Sequence, residues 1–169
     1  DDGLLFSFKR CMVHFAFDDN EIEMCTELKG EKSYFLPFNK GYNDGKGNPP
    51  NPNGIKTDYF WKDILTKKEL SNIIENFAQV VEEKDNDTGK VSYKQIFPRY
   101  HQLQVVKSLL TESKINKTGA RYLIQHSAGS GKSNSIAWLS HQLVSLKDEN
   151  DDYIFDSVIV VTDRINLDK

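Results

Sequence analysis

The chain has 169 residues, 38% of them hydrophobic and 28% charged, a size and balance that suit one domain or parts of two in a soluble protein. No apolar run approaches the ~20 residues of a membrane-spanning helix, and no charged-then-apolar leader opens the chain, so we expect a cytoplasmic protein with no membrane partner. The formal net charge of -3 excludes a general attraction to nucleic acid. The charge is uneven, however: residues 1–89 hold 11 basic and 17 acidic side chains, whereas residues 90–169 hold 11 basic and 8 acidic side chains.

The two cysteines, Cys11 and Cys25, have no metal-binding or redox spacing, which favours a reduced, cytosolic protein. The first residue is Asp1 rather than Met, and the chain stops in a charged stretch just after an apolar segment. We therefore expect the chain to be a segment of a longer protein.

Residues 11–28 alternate apolar and other side chains in the manner of a β-hairpin. A two-residue turn at Asp19-Asn20 would place apolar residues opposite one another on one face, with Cys25 on the other. The expected pairs are Phe17 with Ile22, Phe15 with Met24, and Cys11 with Leu28. Residues 39–54 then form a long loop rich in Asn, Gly and Pro, which is either functional or a tolerated surface excursion.

Helical patterns follow this loop. A short helix is expected at residues 59–65, and Thr66-Lys-Lys-Glu69 is a capping box that opens a helix with apolar residues at helical spacing. These apolar residues are Leu70, Ile73, Ile74, Phe77 and Val81. The stretch 85–89 breaks the pattern and is the expected turn of a hairpin from Val80 to Tyr93. It is also the candidate boundary between a first domain at 1–85 and a second at 86–169.

The second half alternates helices and apolar strands. Pro98 is expected to start a helix with Leu103, Val106, Leu109 and Leu110 on one face. Residues 121–125 and 156–162 predict apolar strands, and residues 132–146 predict a helix between them. Strand, loop, helix and strand form one βαβ unit, and the continuous apolar run at 156–162 is typical of a parallel sheet covered on both faces. We therefore predict an α/β fold.

The segment His126-Ser-Ala-Gly-Ser-Gly-Lys-Ser133, between strand and helix, is a candidate nucleotide-phosphate-binding loop. Its glycines let successive backbone N–H groups point inward as an anion nest at a helix N-terminus. Lys132 is expected to reach the β- and γ-phosphates of ATP, and Ser133 to ligate the accompanying Mg2+. His126 replaces the usual first Gly, and we interpret it as a packing or hydrogen-bonding residue. The predicted phosphate-binding residues are Ser127, Ala128, Gly129, Ser130, Gly131, Lys132 and Ser133.

A second feature, Phe97-Pro-Arg-Tyr-His-Gln102, lies upstream at the start of the preceding helix. A Gln side chain can pair with both N6 and N7 of adenine, and a nearby aromatic ring can stack on the base. A plain surface Gln is the alternative when the residue is taken alone. Its position before a phosphate loop favours adenine recognition, so we predict that Arg99, Tyr100 and Gln102 bind adenine.

Together these motifs resemble the superfamily 2 helicase and translocase class. In that class an Arg-x-x-Gln element, here Arg99–Gln102, precedes motif I, here Gly129–Ser133. Thr162-Asp-Arg164 is similar to the motif Ia region, which touches the DNA backbone. The resemblance therefore implies that Thr162 and Arg164 contact DNA.

The resemblance becomes more specific for the restriction (motor) subunit of type I restriction-modification enzymes. It extends over nearly the whole chain and rests on six segments. They are Val13-His-Phe-Ala-Phe17, Phe35-Leu-Pro-Phe-Asn-Lys-Gly41, Gly47-Asn-Pro-Pro-Asn-Pro52, Phe97-Pro-Arg-Tyr-His-Gln-Leu103, His126–Ser133 and Val158-Ile-Val-Val-Thr-Asp-Arg164.

This family implies a nuclease domain followed by two RecA-like motor domains that pump double-stranded DNA by ATP hydrolysis before cleavage. It also implies methyltransferase and specificity subunits as partners. Residues 1–85 would then be the β-hairpin-containing tail of the nuclease domain, and residues 86–169 the start of a RecA-like parallel-sheet domain that binds ATP. Hydrolysis also needs an acidic pair for magnesium and water and an arginine for the developing charge. No Asp-Glu motif follows a predicted strand after residue 133, so we expect the isolated chain not to turn over ATP.

Glu27-Leu-Lys29 has the form of a nuclease Glu-x-Lys motif, and Asp18 precedes it. In the predicted hairpin, Asp18 sits opposite Glu21, six residues from Glu27, which is roughly 20 Å at ~3.4 Å per residue. Two carboxylates that share Mg2+ must both place oxygens ~2.1 Å from it. We therefore predict no catalytic role for this pair.

Two other functions remain open beside the DNA-translocating restriction subunit. One is another superfamily 2 helicase that acts on DNA or RNA. The other is a non-catalytic nucleotide-binding module.

Overall fold

A computed structural model describes residues 4–8, 10–85 and 88–162, and the chain divides into two compact units, Asp1–His101 and Gln102–Lys169. The fold is a mixed α/β arrangement with small antiparallel sheets. Within the described residues no helix is long and apolar enough to cross a membrane. The strands are β1 (His14–Phe17), β2 (Ile22–Cys25), β3 (Leu36–Pro37), β4 (Gln79–Lys84) and β5 (Val91–Ile96); the α-helices are α1 (Lys67–Asn76), α2 (Tyr100–Asn116) and α3 (Lys132–Val144).

The first sheet confirms the predicted hairpin register. Strands β1 and β2 pair antiparallel, with Phe17 opposite Ile22 and Phe15 opposite Met24. Strand β1 begins only at His14 and β2 ends at Cys25, so Cys11 and Leu28 lie outside the paired strands and the third predicted pair is wrong. The two-residue turn forms because the Asp18 carboxylate accepts hydrogen bonds from the backbone N–H groups of Asn20, at 2.7 Å, and Glu21, at 2.9 Å, which favours a tight reversal. Strand β3 adds to β2 on its other edge.

An aromatic cluster forms the core of the first unit. The Phe15 ring lies 5.2 Å from Phe38, 4.7 Å from Phe60 and 5.9 Å from Phe97, centroid to centroid and edge to face. Phe60 begins a single π-helical turn, Phe60–Ile64, where a short helix was predicted. Edge-to-face rings add to the stabilisation from burial, so these side chains hold the sheet, the turn and the chain before α2 together.

Helix α1 begins where the capping pattern predicts. Thr66 is the N-cap, and its side-chain oxygen accepts a hydrogen bond from the backbone N–H of Glu69 at 3.2 Å. The helix ends at Asn76, since Phe77 leaves helical geometry with φ −131°. The prediction that Val81 belongs to this helix is therefore wrong. Val81 lies in β4, where β-branched side chains suit the extended backbone.

Strands β4 and β5 form the predicted second hairpin, with Val80 opposite Gln95 and Lys84 opposite Val91. The backbone N–H of Asp85 closes the turn by donating to the carbonyl of Lys90 at 2.9 Å. The hairpin lies inside the first unit. The assignment of functional domains to 1–85 and 86–169 stays a prediction.

Two helices organise the second unit, as predicted. Helix α2 begins two residues before this unit, and it buries Leu103 and Val106 completely. Helix α3 starts at Lys132 and buries Trp138. Between them the chain runs through residues 117–131, which include residues 126–131 of the candidate phosphate loop.

The two strands predicted in the second unit are wrong for the described residues. Neither 121–125 nor 156–162 forms a strand, and apolar side chains remain exposed there, including Leu123 at 92% and Val161 at 88%. A parallel strand needs a hydrogen-bonded neighbour and layers on both faces. Within residues 88–162 neither segment has a strand beside it, so the apolar pattern alone does not produce a sheet.

Candidate phosphate-binding site

The loop before α3 has the backbone shape of an anion cradle. Gly129 has φ +72°, and Gly131 has φ +79° and ψ 34°. Left-handed conformations of this kind cost most residues about 1–2 kcal/mol but cost glycine little. The N–H of Ser130 donates to the carbonyl of Ser127 at 3.4 Å and closes the turn. The glycine spacing in the sequence is thus what permits the local curl.

Helix α3 begins directly after this turn. The Gly131 carbonyl accepts the first two hydrogen bonds of the helix, from the N–H of Asn134 at 3.1 Å and of Ser135 at 3.4 Å. Lys132 and Ser133 occupy the first turn, where backbone N–H groups have no acceptor within the helix. Their N–H groups and the helix dipole favour a negative group at this end. The Ser133 side chain is exposed there.

The Lys132 ammonium is folded back onto the loop itself. Its Nζ donates to the carbonyl oxygens of His126 at 3.1 Å and Ser127 at 2.8 Å. These contacts hold a positive charge over the curl and partly neutralise the loop carbonyls. Because both bonds are exposed, a phosphate oxygen can replace them at small cost, since water already competes for such groups.

Gln102 makes a contact that sequence reasoning missed. Its side chain is almost fully buried, and its Nε2 donates to the Gly131 carbonyl at 2.8 Å. A Cβ added to Gly131 would collide with this Nε2. Gln102 therefore restrains the second glycine of the loop from a position 29 residues earlier in the chain. The pattern that singled out Gln102 contains no signal for this role.

Arg99 and Tyr100 lie in the first unit, whereas Gln102 lies in the second. The Tyr100 ring packs edge to face against Phe38 at 5.8 Å and Tyr59 at 5.2 Å, and burial raises the pKa of its hydroxyl. Arg99 is half-buried, and this burial lowers the pKa of its guanidinium. The packing gives Tyr100 a place in the aromatic core; adenine binding by the three residues stays a prediction.

The predicted DNA contacts fall at the edge of the described chain. Thr162 is half-buried, and Arg164 lies outside the described residues. Among the described residues no group of three or more His, Cys, Asp or Glu side chains is placed to hold a metal ion. Contact between Ser133 and a Mg2+ ion that accompanies the nucleotide stays a prediction.

Asp18 and Glu27 occupy opposite ends of the first hairpin. Asp18 supports the turn, while Glu27 lies two residues beyond β2 and forms an ion pair with Lys29 at 2.8 Å. The four-residue strand β2 (Ile22–Cys25) lies between Glu21, at the turn beside Asp18, and Glu27, and it spans roughly 13 Å at ~3.4 Å per residue. This arrangement provides no shared metal position for the two carboxylates.

Residues 95–169 match the family described as "Type III restriction enzyme, res subunit", which spans less than half of the chain. Neither the curated proteins nor the solved structures include a match to this chain. The matched segment indicates the start of a helicase-related domain of the restriction-enzyme kind, and domains of this kind generally use ATP and Mg2+. The segment contains both Gln102 and the whole of the loop 126–133.

Proposed function

We propose that the loop 126–133 binds the phosphates of ATP as motif I of a DNA-translocating motor, in a cytoplasmic restriction system. The observation that carries the proposal is the cradle itself. Two left-handed glycines, a helix N-terminus and a lysine ammonium converge on one small region of the second unit. Each of these features favours a negatively charged group.

We further propose that the motor is the restriction subunit of a type I restriction-modification enzyme. The family match covers only residues 95–169, so the distinction depends on the upstream segment. The segments at 13–17, 35–41 and 47–52 resemble that subunit, and they precede the motor domain in this chain as they do there. The partners would be double-stranded DNA and the methyltransferase and specificity subunits.

The residues of the loop bind and orient the substrate. The N–H groups at the start of α3 donate to phosphate oxygens, and the Lys132 ammonium exchanges its two carbonyl acceptors for the β- and γ-phosphates. Gln102 keeps Gly131 in the conformation that aims these groups. Mg2+ bound with ATP would neutralise charge that develops on the transferred phosphate. Hydrolysis also requires acidic groups and an arginine, so we propose that the intact protein, and not this chain alone, turns over ATP.

Binding of an ATP analogue with Mg2+, followed through backbone amide resonances of residues 127–133, tests the phosphate site. Lys132→Ala should weaken binding by at least about tenfold, because a charge-assisted hydrogen bond contributes ~1.5–3 kcal/mol. Lys114→Ala, which removes an exposed lysine of α2, is the matched control and should change affinity less than about twofold. Unchanged affinity in Lys132→Ala, or shifts confined to residues outside the loop, would contradict the assignment.

A second measurement separates the motor proposals from each other. In the intact protein, a type I restriction motor should show ATPase activity that double-stranded DNA stimulates, without separation of the strands. Strand separation, or stimulation by RNA instead, would favour another superfamily 2 helicase. Full activity in Lys132→Ala would favour a non-catalytic nucleotide-binding module.

A further inference from the structure

An open pocket of about 390 Å³ lies in the first unit, between the long loop and the π-helical turn. The candidate phosphate loop belongs to the second unit. Three lysine side chains converge on this pocket, in a half of the chain whose overall charge is negative. The polar groups that line it are Lys40, Lys56, Lys62, Asp58, Asn51 and Asn53.

Buried asparagines hold one wall of the pocket. Asn48 is almost fully buried, and its Oδ1 accepts a hydrogen bond from the backbone N–H of Lys40 at 2.9 Å. Its Nδ2 donates to the Asn20 carbonyl at 2.9 Å and to the Asn39 Oδ1 at 2.8 Å. Asn39 Oδ1 also accepts from the N–H of Ile22 in β2 at 2.8 Å. Lys40 is therefore presented from a backbone that is tied to the first sheet.

The opposite wall is anchored in the same way. The backbone N–H of Lys56 donates to the Asp19 carbonyl at 3.1 Å, and the next residue, Thr57, donates its hydroxyl to the Asp18 carbonyl at 2.7 Å. Asn51 donates its amide to the Ile55 carbonyl at 2.9 Å. The long Asn-, Gly- and Pro-rich loop is thus held by specific hydrogen bonds to the first sheet and to itself.

The charge of the lining remains positive after its internal pairing. Lys62 pairs with Asp58, which is also hydrogen-bonded by Asn51. Lys40 lies over the Tyr59 ring, with Nζ 4.6 Å from its centroid, and keeps its charge in that contact. Asp18 lies outside the lining, and its carboxylate interacts electrostatically with the Lys56 ammonium. Three lysines against one carboxylate leave a net surplus of positive charge within the pocket.

We propose that this pocket binds a phosphate group. Lysine ammonium groups bind phosphate as point charges, and the neighbouring asparagine amides can complete the hydrogen bonds. The pocket lies in the ~300–1,000 Å³ range of small-ligand sites, which leaves room for a phosphate with an attached sugar. Nucleotides and the DNA backbone both carry such a phosphate group, and the experiment distinguishes these two sources.

Titration with inorganic pyrophosphate tests the site. The Lys132→Ala protein is used because this substitution weakens phosphate binding at the loop 126–133. The amide and side-chain resonances of Asn51, Asn53 and Lys56 should shift together. The triple variant Lys40→Gln, Lys56→Gln, Lys62→Gln should raise the apparent Kd at least about tenfold, since it removes three charge-assisted contacts. Lys46→Gln, an exposed lysine of the same loop outside the lining, is the matched control and should leave the Kd within about twofold.

Circular dichroism should show that the triple variant folds, because the three ammonium groups are not part of the buried asparagine network. If that variant unfolds, the single variant Lys56→Gln provides the same comparison. Shifts that persist equally in the variant, or no pocket shifts at millimolar pyrophosphate, would overturn the proposal.

A short DNA duplex provides the second arm. If the duplex shifts the same resonances, pyrophosphate displaces it, and binding weakens steeply with salt, the pocket takes a backbone phosphate of DNA. If ADP and pyrophosphate shift them but the duplex does not, the pocket takes the phosphate of a nucleotide. If neither source produces shifts that depend on the three lysines, the pocket is not a phosphate site.

Discussion

Replacement of Gly131 by alanine gives the sharpest test of how the loop is held. Gly131 and Gly129 both have left-handed backbone angles, with φ +79° and +72°. They differ in their surroundings, because a Cβ at Gly131 would collide with Gln102 whereas a Cβ at Gly129 meets nothing within 4 Å. Gly129→Ala is therefore a matched control that carries the backbone strain without the collision.

The magnitudes follow from these two differences. Left-handed strain should cost each alanine variant about 1–2 kcal/mol of unfolding free energy. In Gly131→Ala the Gln102 side chain must also move away, and it then loses its 2.8 Å hydrogen bond. A buried hydrogen bond contributes about 0.5–1.5 kcal/mol, so Gly131→Ala should cost about 1.5–3.5 kcal/mol in total. In a Gln102→Ala background this extra part should disappear, giving a coupling of about 1 kcal/mol.

Urea unfolding measured by tryptophan fluorescence can isolate the second unit. The chain has two tryptophans, and Trp61→Phe leaves only Trp138, which is buried in α3. Free energies of unfolding for both alanine variants, each with and without Gln102→Ala, complete two double-mutant cycles. The Gly129 cycle should show no coupling to Gln102.

Two results would refute the reasoning. Equal destabilisation by Gly129→Ala and Gly131→Ala would mean that the Gln102 contact does not restrain the loop. Equal coupling of Gln102 to both glycines would mean that it acts on the unit as a whole. In either case the role assigned to Gln102 in positioning the loop would fail.

Three further predictions concern the scaffold and its response to pH. Tyr59→Phe should lower the free energy of unfolding by about 1–3 kcal/mol in urea titrations, because its buried hydroxyl donates to a backbone carbonyl 2.8 Å away that would lose its partner; an unchanged value contradicts this. Hydrogen bonds from the backbone N–H of Asn150 and, as the second cause, from the Lys117 side chain lower the pKa of Asp148. The ionised Asp148 carboxylate therefore adds to the free energy of unfolding above its ordinary pKa of about 3.9, and this contribution is lost as the pH falls through the lowered native pKa. Carboxyl NMR titration should show that depression, and Lys117→Ala should reduce it. Asp18→Ala should destabilise the first hairpin while Asp18→Asn retains most of the stability, as thermal unfolding can measure; equal loss in both variants would argue that the carboxylate's charge, and not its hydrogen-bonding geometry, is what matters.

Short-range features of the fold follow closely from the sequence. The register of the first hairpin, the Thr66 cap and the start of α3 each depend on residues within a few positions of one another. Their hydrogen bonds close within one turn, so the local pattern contains both partners. The glycine spacing of the candidate site is of the same kind, because the backbone angle that it permits is a property of the residue itself.

Predictions that needed a distant partner were less successful. Val81 has the spacing of a helical residue, but pairing with β5 places it in a strand. The apolar runs at 121–125 and 156–162 have residue types typical of buried strands, yet neither forms a strand in the described chain. A strand is stabilised by the neighbour that completes its hydrogen bonds, and no composition of the run itself supplies that neighbour.

The sequence by itself determined that residues 126–133 have the residue types and the backbone freedom to hold a phosphate. Only the tertiary structure decided what restrains that loop, because Gln102 reaches Gly131 from 29 residues away. It likewise decided that the loop 39–54 is a built surface, since Asn48 joins backbone groups that are distant in sequence. Both features depend on the hydrogen-bond partners of buried side-chain amides, and these partners are brought together only when the whole unit packs.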